Sequence, residues 1–247
     1  MAALDGKAAL VTGGSRGIGR AIVLRLAGDG ATVVFSFKDN EDAAKQVLAE
    51  VEELGGEAFA VRADQGEPAD LEELFAAAER HLDGLDILIN NAASGVPTAI
   101  LDATEEDYDR MMAVNAKGPF FAIQRAGRVL RDGGRIISIS TLNTVMPTPG
   151  VAIYAASKAA VEQFTAVAAR EFGGRGITVN TVSPGATDTE LLRATNPPEA
   201  LEQAAAFTAL RRLGQPADVA SVVAFLAGPD SGWITGQNLR ATGGLLV

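Results

Sequence analysis

Short apolar runs alternate along the chain with longer stretches in which apolar positions return every three to four residues. The short runs are Ala8 to Thr12, Thr32 to Ser36, Ala58 to Arg62, Ile87 to Asn90, Arg135 to Ser140, Thr178 to Val182 and Gln237 to Arg240, all of strand length. Runs that are apolar without strict alternation read as strands covered on both faces, which is the condition of a parallel sheet. The helical pattern occupies Ile18 to Ala27, Glu41 to Leu54, Ala69 to Leu82, Glu105 to Leu130 with a break at Gly118-Pro119, Val151 to Phe172 and Ala217 to Leu226. Pro68 and Pro216 stand where a first helical turn begins, a place where a missing N–H costs nothing. The alternation predicts an α/β fold: one doubly wound, seven-stranded parallel sheet with helices on both faces, in a single domain over residues 1–247. Residues 186–214 are too long for an ordinary connection and carry Asn196-Pro197-Pro198, so they read as an inserted loop that binds or covers a ligand.

Composition narrows the chemistry. With 247 residues, 47 % of them hydrophobic, the chain can bury one large core, and it contains no linker, repeat or low-complexity tract. Its 31 acidic against 21 basic residues, a formal charge of -10, disfavour nucleic acid as a partner. The absence of cysteine and the single histidine remove disulfides, thiol nucleophiles and zinc sites built from Cys and His, so no metal site is expected. Met1 to Lys7 lacks the basic segment and long apolar core of a signal peptide, and no window approaches the ~18 apolar residues of a membrane span. A cytoplasmic protein is the expectation, and the lack of cysteine suits it. His81 follows Glu79-Arg80 at a helix end, where a cation complements the dipole, and is expected to have a surface role.

Directly after the first strand comes Thr12-Gly13-Gly14-Ser15-Arg16-Gly17-Ile18-Gly19, which opens into a helix. Glycines there let a backbone approach a phosphate closely, and the free N–H groups and dipole of the helix favour the anion. At the end of the second strand the chain reads Phe35-Ser36-Phe37-Lys38. No acid stands where one would bond a ribose 2′-hydroxyl, whereas Lys38 together with Arg16 would attract a 2′-phosphate, so NADP(H) is expected in preference to NAD(H).

Tyr154 and Lys158 lie four residues apart on one helical stretch, and so on one helix face. A phenol with a pKa near ~10 is a poor acid or base at neutral pH; a neighbouring ammonium lowers that value, and a shift of ~2 to 3 pKa units requires roughly 3 to 4 kcal/mol. The pair suggests proton transfer or redox chemistry.

Thr12 to Gly19, Asn90-Asn91-Ala92 and Tyr154-x-x-x-Lys158, in this order and spacing, resemble the short-chain dehydrogenase/reductase family, including its 3-oxoacyl-reductase-like members. Further matches are Asn115, Ser183-Pro184-Gly185 with Thr189, and Ile234-Thr235-Gly236-Gln237, so the resemblance covers nearly the whole chain. It implies a Rossmann-type fold and hydride transfer between a nicotinamide and a carbonyl or alcohol. Tyr154 would be the acid or base, Lys158 would lower its pKa and hold the nicotinamide ribose, and Asn115 would hold a water extending the proton relay. The cofactor NADP(H) would run along Gly13, Ser15, Arg16, Gly17, Ile18, Gly19, Phe37, Lys38, Asp64, Asn91, Ala92, Ala93, Tyr154, Lys158, Pro184, Gly185, Thr187 and Thr189, with Asp64 at the adenine and Thr189 at the carboxamide. A homotetramer, or failing that a dimer, is implied through residues 105–130, 151–172 and the C-terminal segment.

Three positions depart from the family pattern. Thr141 stands where a serine usually binds the substrate carbonyl; Ser140 is adjacent, but successive strand residues point to opposite faces, which favours Thr141. Ala93 replaces a glycine beside the nicotinamide, and Ala241-Thr242-Gly243-Gly244 lacks the usual acid before its glycine pair. The apolar residues Leu142, Val145, Met146, Val151, Leu191 and Leu192, near Ser94 to Val96, suggest a small or medium, mostly uncharged substrate. The expectation is an NADP(H)-dependent carbonyl reductase or alcohol dehydrogenase; the alternative is a catalytically weak NADP-binding protein with a regulatory or assembly role.

Overall fold

A computed structural model describes residues 3–245. Seven parallel strands form one sheet: β1 (Ala8–Val11), β2 (Thr32–Phe37), β3 (Glu57–Arg62), β4 (Leu85–Asn90), β5 (Leu130–Ile139), β6 (Thr178–Pro184) and β7 (Asn238–Ala241). Their order in space is β3-β2-β1-β4-β5-β6-β7. The chain winds outward in one direction from β1 and in the other from β4, which leaves a crevice above the C-terminal ends of these two strands.

Among the described residues, nine α-helices cover the sheet and its C-terminal edge: α1 (Gly17–Gly28), α2 (Glu41–Glu53), α3 (Pro68–His81), α4 (Glu105–Met112), α5 (Gly118–Val129), α6 (Ala152–Phe172), α7 (Glu190–Thr195), α8 (Pro198–Phe207) and α9 (Pro216–Ala227). The two-residue period of each strand divides the core. Val11, Val33, Phe35, Ile89 and Ile137 face α1, α2 and α9, whereas Leu10, Val34, Leu88, Ile136 and Val179 face α3, α5 and α6.

The expected strands and six main helical stretches are found, with shifts that have local causes. β5 begins at Leu130 rather than Arg135, because Leu130 pairs with Leu85 before the register shifts at Ile87. The stretch 105–130 does not break at Gly118-Pro119; instead α4 passes into a π-helical turn, Ala113–Lys117, and Gly118-Pro119 starts α5. The inserted segment 186–214 is no bare loop, since Pro198 occupies the first turn of α8 just after the short helix α7. His81 is exposed at the end of α3, its ring stacked on Phe59 with centroids 4.1 Å apart. No helix among the described residues is long and apolar enough to cross a membrane.

Candidate active site

The glycine turn is held open for an anion. Arg16, the N-cap of α1, makes no capping hydrogen bond, and the first turn carries no acidic side chain, so the backbone N–H groups and the positive helix end face the crevice unspent. Gly13 has φ +68°, and a Cβ on it would lie 2.9 Å from the Ala92 Cα, a contact no L-residue could make. The turn is stapled to the end of β4. Thr12 Oγ1 accepts the N–H groups of Asn91 (3.0 Å) and Ala92 (3.1 Å), and Asn91 Nδ2 donates to the carbonyls of Thr12 and Gly13, both at 3.0 Å. The Asn91 amide is thus occupied with shaping the turn. Ser36 adds a contact that the sequence did not mark, its Oγ accepting the Gly13 N–H at 3.0 Å. These features fit a dinucleotide phosphate: a cradle that only glycine permits, at an uncapped helix start. Ser15 and Ile18 are half-buried in the same turn.

Across the crevice, β6 ends in Pro184, and Gly185 donates its N–H to the Ala241 carbonyl at 3.0 Å. Thr187 is buried and donates from Oγ1 to the Gly185 carbonyl. Thr189 caps α7 by accepting the Leu192 N–H, and its Cγ2 stands against Gly17, where an added Cβ would meet it at 3.4 Å. The 184–189 segment therefore overhangs the glycine turn.

At the other end of the cleft, Phe37 closes β2, buried, and Lys38 forms an ion pair with Asp64 at 2.7 Å. The Asp64 hydrogen bond and charge raise the Lys38 ammonium above its ordinary pKa. Partial burial alone would raise the Asp64 carboxyl, but Lys38 and the Gly66 N–H outweigh it and hold Asp64 below the usual carboxylate range. Arg62, opposite Phe37 in the β2–β3 register, donates to the Lys38 carbonyl at 3.1 Å and braces this turn. Arg16 is exposed at the start of α1, on the same edge of the sheet.

Tyr154 and Lys158 lie on the first two turns of α6, facing the end of β5. Ser140 and Thr141 point apart, as strand alternation requires: Ser140 donates to Glu162 Oε1 at 2.6 Å, while the buried Thr141 hydroxyl accepts the Asn143 N–H at 3.3 Å and lies near enough to the Tyr154 phenol to act on its pKa. Burial pushes the phenol above its ordinary value, and the Thr141 hydroxyl offsets part of that rise. The expected lowering by Lys158 is not found here. The Lys158 ammonium instead donates to the Ile139 carbonyl at 2.8 Å, and burial lowers its own pKa to about 8.

Asn115 is fully buried in the π-helical turn. Its Oδ1 accepts the Ser94 N–H at 2.8 Å, and its Nδ2 donates to the Ser94 carbonyl at 2.7 Å and to Ser157 Oγ at 3.2 Å. Ser157 in turn donates to the Tyr154 carbonyl at 2.7 Å. Asn115 so ties the 93–95 segment to the helix that carries the phenol. Gly95 completes the fit, since a Cβ there would sit 3.4 Å from the Tyr154 ring, while Ala93 is exposed beside it. Ser157 and Gly95 escaped the sequence reading because their value lies in contacts between segments.

A parallel sheet with an anion-ready helix start at its switch point, and a Thr-Tyr-Lys cluster beside it, is the arrangement of a nicotinamide-dependent oxidoreductase. The chain belongs to the short-chain dehydrogenase/reductase family: a family model described as enoyl-(acyl carrier protein) reductase matches residues 13–246. A hydroxynaphthalene reductase-like protein of Metarhizium brunneum is 42 % identical, over 98 % of this chain and 95 % of that protein. Among solved structures, the promiscuous reductase LugOII, which catalyses keto-reduction at C1 during lugdunomycin biosynthesis, superposes with a TM-score of 0.94 at 47 % identity, covering 99 % of this chain and 100 % of the other. The angucycline C-6 ketoreductase LanV with bound NADP gives a TM-score of 0.94 at 45 % identity, covering 99 % and 97 %.

Proposed function

We propose that the protein is an NADP(H)-dependent carbonyl reductase acting on an uncharged, largely flat ketone of small or medium size. The observation that carries this reading is the grouping of the buried Thr141 hydroxyl, the Tyr154 phenol and the buried Lys158 ammonium, held on the Ile139 carbonyl, at the end of β5. The bound nicotinamide would supply a hydride to the carbonyl carbon. Thr141 Oγ1 polarises the carbonyl oxygen, and Tyr154, whose phenol carries its proton at neutral pH, gives that proton to the oxygen. Lys158 holds the nicotinamide ribose and stays cationic below about pH 8. Asn115 passes the proton onward through a water at its backbone carbonyl; Pro119, four residues on, has no N–H to give that carbonyl.

Val96, Val145, Met146 and Leu191 are exposed apolar side chains on the segments around the cleft, and α7 and α8 are assigned the role of covering the substrate. Such walls favour fused-ring ketones over charged acyl carriers, in keeping with the naphthalene and angucycline names of the relatives. The assay is the loss of reduced-nicotinamide absorbance with a panel of bicyclic and tricyclic ketones. Tight NADPH binding with no turnover on any of them would favour the cofactor-binding protein instead.

Preference for NADP(H) is assigned to Lys38 and Arg16. The Lys38→Ala/Arg16→Ala double variant should weaken NADPH binding by ~10-fold or more while changing NADH binding by less than ~2-fold, because only the former loses two charge-assisted contacts to a phosphate. Titration by nicotinamide fluorescence reads both constants, and an unchanged ratio would remove the assignment.

A homotetrameric cytoplasmic enzyme is part of the same reading. Phe120 and Phe121 on α5 and Val167 on α6 are exposed apolar side chains on the helices expected to assemble. Light scattering should give four times the chain mass, and a monomer would contradict it.

A further inference from the structure

The geometry points to Gln65 as a positioning residue that anchors the turn carrying Asn115 to the adenine end of the cofactor cleft. Pro119 creates the need for such an anchor. In a regular helix the Val114 carbonyl would take its hydrogen bond from the N–H of Gly118, four residues on. In the π-helical turn Gly118 reaches back five residues to the Ala113 carbonyl instead. The fifth residue after Val114 is Pro119, which has no N–H. The Val114 carbonyl is thereby left without a helical donor, at a place where a lone buried acceptor is costly.

Gln65 supplies the donor. Its side chain is buried, and Nε2 lies 2.9 Å from the Val114 carbonyl oxygen and 3.4 Å from that of Ala92. The amide can be oriented only this way, since reversing it would set Oε1 against two carbonyl oxygens. Two glycines allow the approach: a Cβ on Gly118 would come 2.6 Å from Gln65 Cγ, and one on Gly66 would come 2.9 Å from Val114 Cγ2. Segment 64–66 and the π-helical turn are therefore fitted together at a distance that larger residues would forbid.

The consequence is a continuous mechanical link. Lys38 holds Asp64 at 2.7 Å, Asp64 Oδ1 accepts the Gly66 N–H at 2.9 Å, and Gln65 between them holds Val114. The next residue, Asn115, holds Ser94 and, through Ser157, the backbone of Tyr154. Gln65 touches no reacting atom; it fixes the turn from which Asn115 acts, and the inference rests on the roles proposed above for Asn115 and Tyr154.

Gln65→Met keeps the length and bulk of the side chain and removes the donor. With a ketone that the wild type reduces, kcat should fall ~10-fold, while KM for the ketone and the NADPH dissociation constant change by less than ~3-fold, as expected when a proton relay is misaligned rather than a binding surface lost. In an Asn115→Ala background the same change should cost less than ~2-fold, because both act through one turn. Hydrogen exchange of the 113–120 peptide, which needs no substrate, should quicken in Gln65→Met, and a wild type without ketone turnover would sink the proposed function while leaving this readout intact. An unchanged kcat, a full ~10-fold loss persisting in the Asn115→Ala background, or unaltered exchange overturns the inference. Should Gln65→Met fail to fold, Gln65→Asn, whose amide is one methylene too short to reach Val114, takes its place with the same expected outcomes.

Discussion

Tyr154→Phe is expected to lower carbonyl reduction by ~10³-fold or more and to leave NADPH affinity within ~3-fold, as read by steady-state turnover and by cofactor titration. The ring stays, so its packing against Gly95 is kept; what goes is one oxygen and one proton. Hydride arriving at a carbonyl carbon leaves negative charge on oxygen, and without a positioned acid in reach that alkoxide must wait for a proton from solvent. The partner hydroxyl should matter less. Thr141→Ala removes one hydrogen bond to the oxygen and is expected to cost ~10- to 10²-fold, and Thr141→Ser should restore most of it. If Thr141→Ala were silent while Tyr154→Phe was dead, the proton donor would stand and the carbonyl-binding hydroxyl would have to be sought elsewhere, although Ser140 is already engaged with Glu162.

Lys158→Met should abolish most activity, by ~10²-fold or more, and at the same time make the protein relatively more stable at neutral pH than at alkaline pH. The sign follows from burial. Folding lowers the Lys158 pKa from 10.5 to about 8, so between those values the folded chain binds fewer protons than the unfolded one, and wild-type stability rises with pH. Below about pH 8 the wild type therefore carries a penalty, of about 3 kcal/mol for this gap, that the methionine variant lacks. The variant also loses the bond to the Ile139 carbonyl, a cost present at every pH, so the informative quantity is the change in the stability difference. Denaturant melts of both proteins at pH 7 and pH 10 should show the methionine variant's relative standing fall as pH rises. Parallel curves would mean that Lys158 is solvated enough to titrate normally.

A charge kept buried at a stability cost is what a functional site asks for. The phenol lies above its ordinary pKa here because the dry surroundings act on Tyr154 with only Thr141 to offset them. A protonated phenol suits the reductive direction, in which the site must give a proton. The oxidative direction, which needs the phenolate, should gain from raised pH.

The layout of the sheet was readable because burial on both faces writes itself as uninterrupted apolar runs, and the glycine turn because its left-handed backbone and the close approach of Ala92 leave no other choice at Gly13. Tyr154 and Lys158 stood out only in company: their spacing alone fits any helix, and it was the glycine turn and Asn90-Asn91-Ala92 that singled them out. Partner choice was not readable. Nothing in the Asn90-Asn91-Ala92 sequence says that the Asn91 amide turns back to Thr12 and Gly13, or that Lys38 pairs with Asp64 26 positions later. Gly118-Pro119 did signal an irregular helix, but its effect falls upstream, at Ala113–Lys117, because a proline takes a donor away from residues that precede it. Gln65 carried no signal at all; an amide in Asp64-Gln65-Gly66 looks like any polar loop residue until the carbonyl it serves is seen. The helices of 186–214 were missed since each is too short to establish a period.

In the proposed function this site moves a hydride to a ketone carbon and a proton from Tyr154 to its oxygen. Incubating the wild type with a bicyclic ketone and NADPH carrying deuterium at C4, and weighing the product by mass spectrometry, follows both transfers at once. One deuterium on the carbinol carbon of the alcohol, with no product from Tyr154→Phe, is the predicted result; an unlabelled product, or labelled alcohol formed at wild-type rate by Tyr154→Phe, would contradict it.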